Sequence, residues 1–269
     1  MTLPAIRTVA PRRPLAWLAA GWRDLRRAGA VSLLHGAAMA AFGAALVAVA
    51  HDRFWLLAGA LSGFLVVAPV LATSLYALSR AIERGETPSF AVVRRTWLSW
   101  QAARTGADDY WCLVRFGCLL ALAATGWVVT SAALITLFAP APVLTPQDFV
   151  RHVVLARSGL LFEGWLALGG VLAAPIFASS VVAMPLLLDR RVTVLQAVLT
   201  SWQAVLVNPV AAGLWAALLL LLTLVGMLPA LLGLVVVMPW LGHSSWHAYR
   251  DLVDAGALPP RESPGRPHR

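Results

Sequence analysis

Residues 209–242 read PVAAGLWAALLLLLTLVGMLPALLGLVVVMPWLG, without one charged side chain. A transmembrane α-helix needs about 20 apolar residues, so this run is too long for a single span. It contains Gly226-Met227-Leu228-Pro229, a turn-compatible break. Splitting it between Gly226 and Leu232, and extending its second half into the amphiphilic stretch His243 to Leu252, predicts two helices. With the split the chain has six spans and both ends on one side. Without it there are five, and the C-terminus changes sides.

Four more apolar stretches precede it: Ala30 to Ala50, Phe54 to Ser79, Cys112 to Ala139 and Leu160 to Leu188. Only His51-Asp52-Arg53 separates the first two, which predicts a tight hairpin. Composition agrees with a lipid-embedded chain. Hydrophobic residues make up 60% of the sequence and charged residues 12%, with a mean hydropathy of +0.78. An ordinary globular chain is about 25% charged. The Ala48-Val49-Ala50 triplet resembles a signal-cleavage site, but the run before it has the length of a span, so it reads as an uncleaved first helix.

The net charge is +9, and every basic residue is Arg. The arginines sit in short blocks between apolar runs, which fits positive-inside anchoring and not nucleic-acid binding. In the six-span reading 18 of the 21 fall on one side, and only Arg53, Arg151 and Arg157 on the other. Both termini are therefore expected in the cytoplasm. Cys112 and Cys118 form no metal or disulfide pattern.

The chain also repeats itself. Ala68-Pro69-Val70-Leu71-Ala72-Thr73-Ser74 matches Ala174-Pro175-Ile176-Phe177-Ala178-Ser179-Ser180, and Met238-Pro239-Trp240-Leu241-Gly242-His243-Ser244 is a fainter third copy. Before the odd-numbered spans lie three apolar stripes at i, i+3, i+7, i+10: Leu15, Leu18, Trp22, Leu25; Phe90, Val93, Trp97, Trp100; and Leu195, Val198, Trp202, Val205. Tryptophan beside arginine suits a helix lying in the headgroup plane. Pro14 and Pro88 suit a first helical position, and Thr87 and Thr193 can cap.

The expected fold is therefore an all-α polytopic transmembrane bundle. It has six spans arranged as three helical hairpins, each preceded by a cytoplasmic interfacial amphipathic helix. Residues 1–13 form a cytoplasmic tail and 14–253 one membrane domain, with repeats at about 14–80, 87–190 and 193–250. Residues 254–269 form a disordered tail rich in Pro and Arg.

Few residues suggest chemistry. His243 and His247 are four apart on one helical face, and His35 falls at a similar expected depth, so the three could present imidazoles to a metal or haem. Polar packing at a helix end accounts for the same pattern. Glu163 and Arg115 are ionisable residues inside apolar runs. Glu163 could bind a cation or carry a proton. Pro69, Pro175 and Pro239 fall mid-helix, where each frees a carbonyl, and repeat interfaces often hold a transport site. Kinks that aid packing account for them equally. Gly36 with Ala40, and Gly59 with Gly63, have helix-packing spacing. No phosphate loop, zinc-protease motif or nucleophile elbow is present, so no catalytic residue and no cofactor is assigned.

Several stretches resemble one family. Trp22-Arg23-Asp24-Leu25, Ala68-Pro69 with Tyr76, Arg80-x-x-Glu83-x-Gly85, and above all Gly242-His243-Ser244-Ser245-Trp246-His247-Ala248-Tyr249-Arg250-Asp251-Leu252 are similar to bacterial integral membrane proteins of domain-of-unknown-function family 2189. The resemblance runs from about Ile6 to Val253. It implies a multi-span inner-membrane protein with no established activity. Members are sometimes labelled cytochrome c oxidase subunits, but a haem–copper core needs more spans and more histidines than this chain offers. The functions in view are a non-enzymatic scaffold, assembly partner or sensor; a small solute or ion transporter; and a haem- or metal-binding respiratory accessory protein. The expected partners are the lipid bilayer and a membrane protein or a second copy of the chain.

Overall fold

The computed structural model describes residues 3–102, 111–156 and 160–261. A short strand β1 (Ala5–Ile6) leads into α1 (Arg13–Ala28), α2 (Ala30–Ala50), α3 (Phe54–Leu71), α4 (Thr73–Glu83), α5 (Phe90–Ala102) and α6 (Trp111–Phe138). Next come α7 (Pro146–Phe149), a π-helical turn (Val150–Val154), α8 (Leu161–Ser180), α9 (Ala183–Asp189), α10 (Val194–Val207), α11 (Pro209–Met227) and α12 (Leu234–Leu252). Strand β2 (Val253–Asp254) pairs antiparallel with β1, Ile6 opposite Val253.

Among the described residues four helices are long and apolar enough to cross a membrane: Ala30–Ala50, Cys112–Phe138, Leu161–Asp189 and Pro209–Met227. This replaces the six spans and three hairpins expected above. The second apolar run breaks at Ala72 into α3, of 18 residues, and α4, whose Thr73, Ser74, Ser79 and Arg80 are buried in protein. The last helix is apolar only in its first half; from His243 onward its polar side chains turn inward. Hydropathy registers the runs but not the protein-facing polar groups that end them.

The chain divides into two compact units. Unit 1 comprises residues 1–40, 69–116 and 178–269. In it α1, α4 and α9 pack against α12, while α5 packs on α4 and α10 on α9. Helix α1 starts with Pro14 in its first turn and ends at Gly29, whose φ of 53° suits glycine. Thr193 caps α10 in a reciprocal box with Gln196, as expected. Helix α5 begins at Phe90, so Pro88 precedes it.

The faces that the three amphipathic helices bury coincide only in part with the stripes read from the sequence: Leu18 and Leu25 of α1 are buried as expected, and other members are not. In α1 the buried stripe is Pro14, Trp17, Leu18, Gly21, Asp24, Leu25 and Ala28, whereas Leu15 and Trp22 are 52% and 39% exposed. In α5 Val92 and Thr96 are buried and Phe90 is exposed. In α10 Ala197, Thr200, Ser201 and Ala204 are buried while Leu195 and Trp202 are exposed. In α10 small and hydroxyl side chains meet the protein and the largest apolar ones face outward, whereas in α1 Trp17, Leu18 and Leu25 are buried beside Gly21 and Asp24. Trp97 Nε1 donates to Ser74 Oγ at 2.7 Å and Trp202 Nε1 to Ser179 Oγ at 2.9 Å, each across 23 residues of sequence. Residues 254–261, expected in a tail, dock instead: Pro260 bridges Arg190, and the Arg261 amide donates to the Asp189 carbonyl at 2.8 Å.

Unit 2 comprises residues 41–68 and 117–177. Its core is Ile135, Val143 and Val153, packed by Phe54, Trp55, Phe149, Phe162 and Trp165. Phe54 and Phe149 stack with centroids 5.1 Å apart, and Trp165 Nε1 donates to Ser131 Oγ at 2.6 Å. A Thr145–Asp148 capping box starts α7.

Candidate functional site

A buried hydrogen-bonded chain in unit 1 joins α1, α2, α4 and α12. His247 Nε2 lies 2.8 Å from Asp24 Oδ2, and the Ser79 hydroxyl donates to the same oxygen at 2.8 Å. Ser79 Oγ is also 2.7 Å from His243 Nδ1, and His243 Nε2 is 2.8 Å from Ser32 Oγ. His243, Ser32 and Ser79 are 1% exposed or less.

The single hydroxyl proton of Ser79 is committed to the carboxylate, so its oxygen accepts from His243 Nδ1–H. The Nε2 of a neutral His243 is then the acceptor for the Ser32 hydroxyl. Burial holds the His243 pKa down to about 4, against the opposing pull of Asp24, which keeps this tautomer neutral. Burial pushes the Asp24 carboxyl up, but hydrogen bonds from His247 and Ser79 outweigh it and leave Asp24 below the usual carboxylate range.

A second cluster surrounds the first. Asp189 accepts from Tyr249 Oη at 2.9 Å and Arg190 Nε at 3.0 Å, with Arg84 at 3.7 Å. Burial and then Asp189 raise the Tyr249 pKa, so this phenol stays a donor. Glu83 accepts from Trp246 Nε1 and Arg250 Nε, both at 3.0 Å. Asp251 pairs with Arg13 at 2.6 Å and accepts from Trp17 Nε1 at 2.8 Å. The polar end of α12 is thus bonded to α1, α2, α4 and α9. Close approach makes this possible: a Cβ at Gly21 would overlap Ser244, and one at Gly242 would overlap Leu75.

The structure brings His243 and His247 to one hydrogen-bonded network. The carboxylate that links them is Asp24. His35 lies half-buried in α2, one turn past Ser32. Both ring nitrogens of His243 are engaged by hydroxyls, so it offers no free ligand atom. Among the described residues no group of three His, Cys, Asp or Glu side chains is placed to hold a metal ion.

Glu163 is exposed in the first turn of α8, in unit 2. Pro175 lies inside α8 and is exposed, and Pro69 lies in α3. Pro239 is buried inside α12 and leaves the Val235 carbonyl without its helical donor. Gly36 of α2 packs directly on that carbonyl. Sequence reasoning missed Asp24, Ser79 and Ser32. Asp24 carried a signal: it is the lone carboxylate in register with Trp17, Gly21 and Ala28 on the buried face of α1.

Neither curated proteins nor solved structures gave a match to the chain. The family described as "Predicted integral membrane protein (DUF2189)" matches residues 56–189, which hold Ser79, Glu83 and Asp189 but neither Asp24 nor the Gly242 to Leu252 stretch. With four apolar helices of spanning length and this match over about half its length, the chain belongs to the DUF2189 family of integral membrane proteins.

Proposed function

We propose that the protein acts without catalysis, as a scaffold, assembly partner or sensor in the bacterial cytoplasmic membrane, with both ends in the cytoplasm. The observation that carries this reading is the use to which the buried polar groups are put. Asp24, Ser79, His243, Asp189 and Tyr249 are bonded to one another across helices, an arrangement that fixes a shape. Arginine placement supports the orientation, because unit 1 holds 18 of the 21 arginines and both termini. The paired Trp97–Ser74 and Trp202–Ser179 bonds support an internal repeat.

Visible absorption and metal analysis of the purified protein, together with ion flux in proteoliposomes, test the reading. A scaffold or sensor gives no Soret band, no stoichiometric metal and no flux above empty vesicles. Bound haem or metal, or a flux abolished by Glu163→Gln, overturns it. An outward-facing C-terminal reporter fusion overturns the orientation.

A further inference from the structure

The connection between α11 and α12, residues 228–233, reads Leu-Pro-Ala-Leu-Leu-Gly and has no side chain that water would solvate. The connections after α2 and α6 differ. His51-Asp52-Arg53 follows α2, and Thr145, Gln147, Asp148, Arg151 and His152 lie between α6 and α8. At the tip Leu228 is 82% exposed and Leu232 69%, while Leu231 packs with Ala40 and Leu234.

Six amides in and beside this turn find acceptors inside the hairpin. The amides of Leu228, Ala230, Leu231, Leu232, Leu234 and Val235 donate to Leu224, Leu228, Met227, Pro229, Leu231 and Leu232, all within the hairpin. Pro229 has no amide to satisfy. Ala230 and Leu231 adopt left-handed φ values of 48° and 68°, an unfavourable conformation for residues with a Cβ. A turn in water would use Gly or Asn at such positions and let solvent take up loose amides. Strained apolar residues with internally paired amides are what hydrocarbon requires, because no solvent there can pair an open group.

Both ends of this hairpin are held by one short segment. Asn208, immediately before α11, accepts from the Val9 amide at 2.8 Å and donates to the Arg7 carbonyl at 3.0 Å. At the end of α12 the Leu252 carbonyl accepts from the Arg7 amide at 2.9 Å, and Val253 pairs with Ile6. The 19 residues of α11 extend about 28 Å at 1.5 Å per residue, well short of the roughly 40–45 Å between the two headgroup surfaces, so from a base in the headgroup layer the helix ends inside the hydrocarbon.

We propose that the α11–α12 turn is embedded among lipid acyl chains, so that the two helices form a hairpin entering and leaving the membrane by one face. Leu228 and Leu232 are its lipid contacts. The experiment places a nitroxide at Leu228→Cys in a Cys112→Ala/Cys118→Ala background that keeps the parent's thermal unfolding. Leu232→Cys is a second site, and Gln147→Cys a control in a polar, exposed connection. In phosphatidylethanolamine–phosphatidylglycerol vesicles the labels at 228 and 232 should collide several-fold more with oxygen than with a water-soluble nickel chelate. The label at 147 should show the reverse. Nickel access at 228 and 232 overturns the proposal. Low access to both reagents there means that a second copy covers the turn, and that also overturns the lipid assignment.

Discussion

The two units of the molecule achieve order by opposite means. Unit 1 carries 18 arginines and nine acidic residues, hence the whole net charge of +9, and its helices are joined by carboxylates that each serve two or three partners. Unit 2 carries three arginines and three acidic residues and is held by stacked rings, one indole–hydroxyl bond and a local cap. In unit 1 a side chain removed leaves a buried charge or donor unpaired. In unit 2 it leaves mostly lost contact area. Buried unpaired groups are the more costly loss.

The largest expected difference comes from Asp24. Asp24→Ala should cost about 3 kcal/mol, because His247, Ser79 and through it His243 lose their shared acceptor. Chemical denaturation in mild detergent measures it, and a loss comparable to that of a surface substitution would erase the contrast between the units. Acidification should follow the same line. His243 has an ordinary pKa of 6.5 when unfolded and about 4 when folded, so the unfolded chain takes the proton first. Stability should therefore fall as pH drops from about 6.5 to about 4. Asp24, held low, adds its own loss only below its ordinary 3.8. Thermal unfolding of His243→Gln should lack the upper part of that slope; an unchanged slope would locate it elsewhere.

Glycine gives a contrast of sign. Gly21→Ala drives a methyl into the Ser244 backbone and should destabilise by about 2 kcal/mol, whereas Gly126→Ala in α6 meets nothing within 4 Å and should stabilise its helix by up to about 1 kcal/mol. Equal effects would mean that α1 and α12 are not closely apposed. The smallest effect is local: Thr145→Ala removes the α7 cap, for about 1 kcal/mol, read by faster amide exchange over residues 146–154.

These contrasts also explain what could be read from the sequence. Apolar runs, the membrane class and the four-residue pairing of His243 with His247 are local patterns, and all are legible. The end of α3 at Leu71 is not, because Thr73 and Ser74 beyond it are uncharged hydroxyl residues that a span also accommodates, and only their burial against protein marks the change. The stripe of α1 was read as Leu15, Leu18, Trp22 and Leu25; Leu18 and Leu25 do face the protein, but with Trp17, Gly21 and Asp24 beside them, while Leu15 and Trp22 face outward. Asp24 then finds its partners 55 and 223 residues away, a distance no local pattern encodes.

The pairing of α1 with α12, and of β1 with β2, sets the order in which the molecule can be completed during synthesis. Residues near the start wait for partners more than 230 positions downstream. At about 5–20 residues per second the ribosome takes at least about ten seconds to supply them. Throughout that interval Arg13 lacks Asp251 and Asp24 lacks His247. A nascent chain arrested before residue 234 never acquires them, so its amino-terminal helix stays open to proteolysis. A full-length chain closes on itself only at its last helix, and resistance of residues 13–28 to protease in arrested and released chains reads out that closure directly.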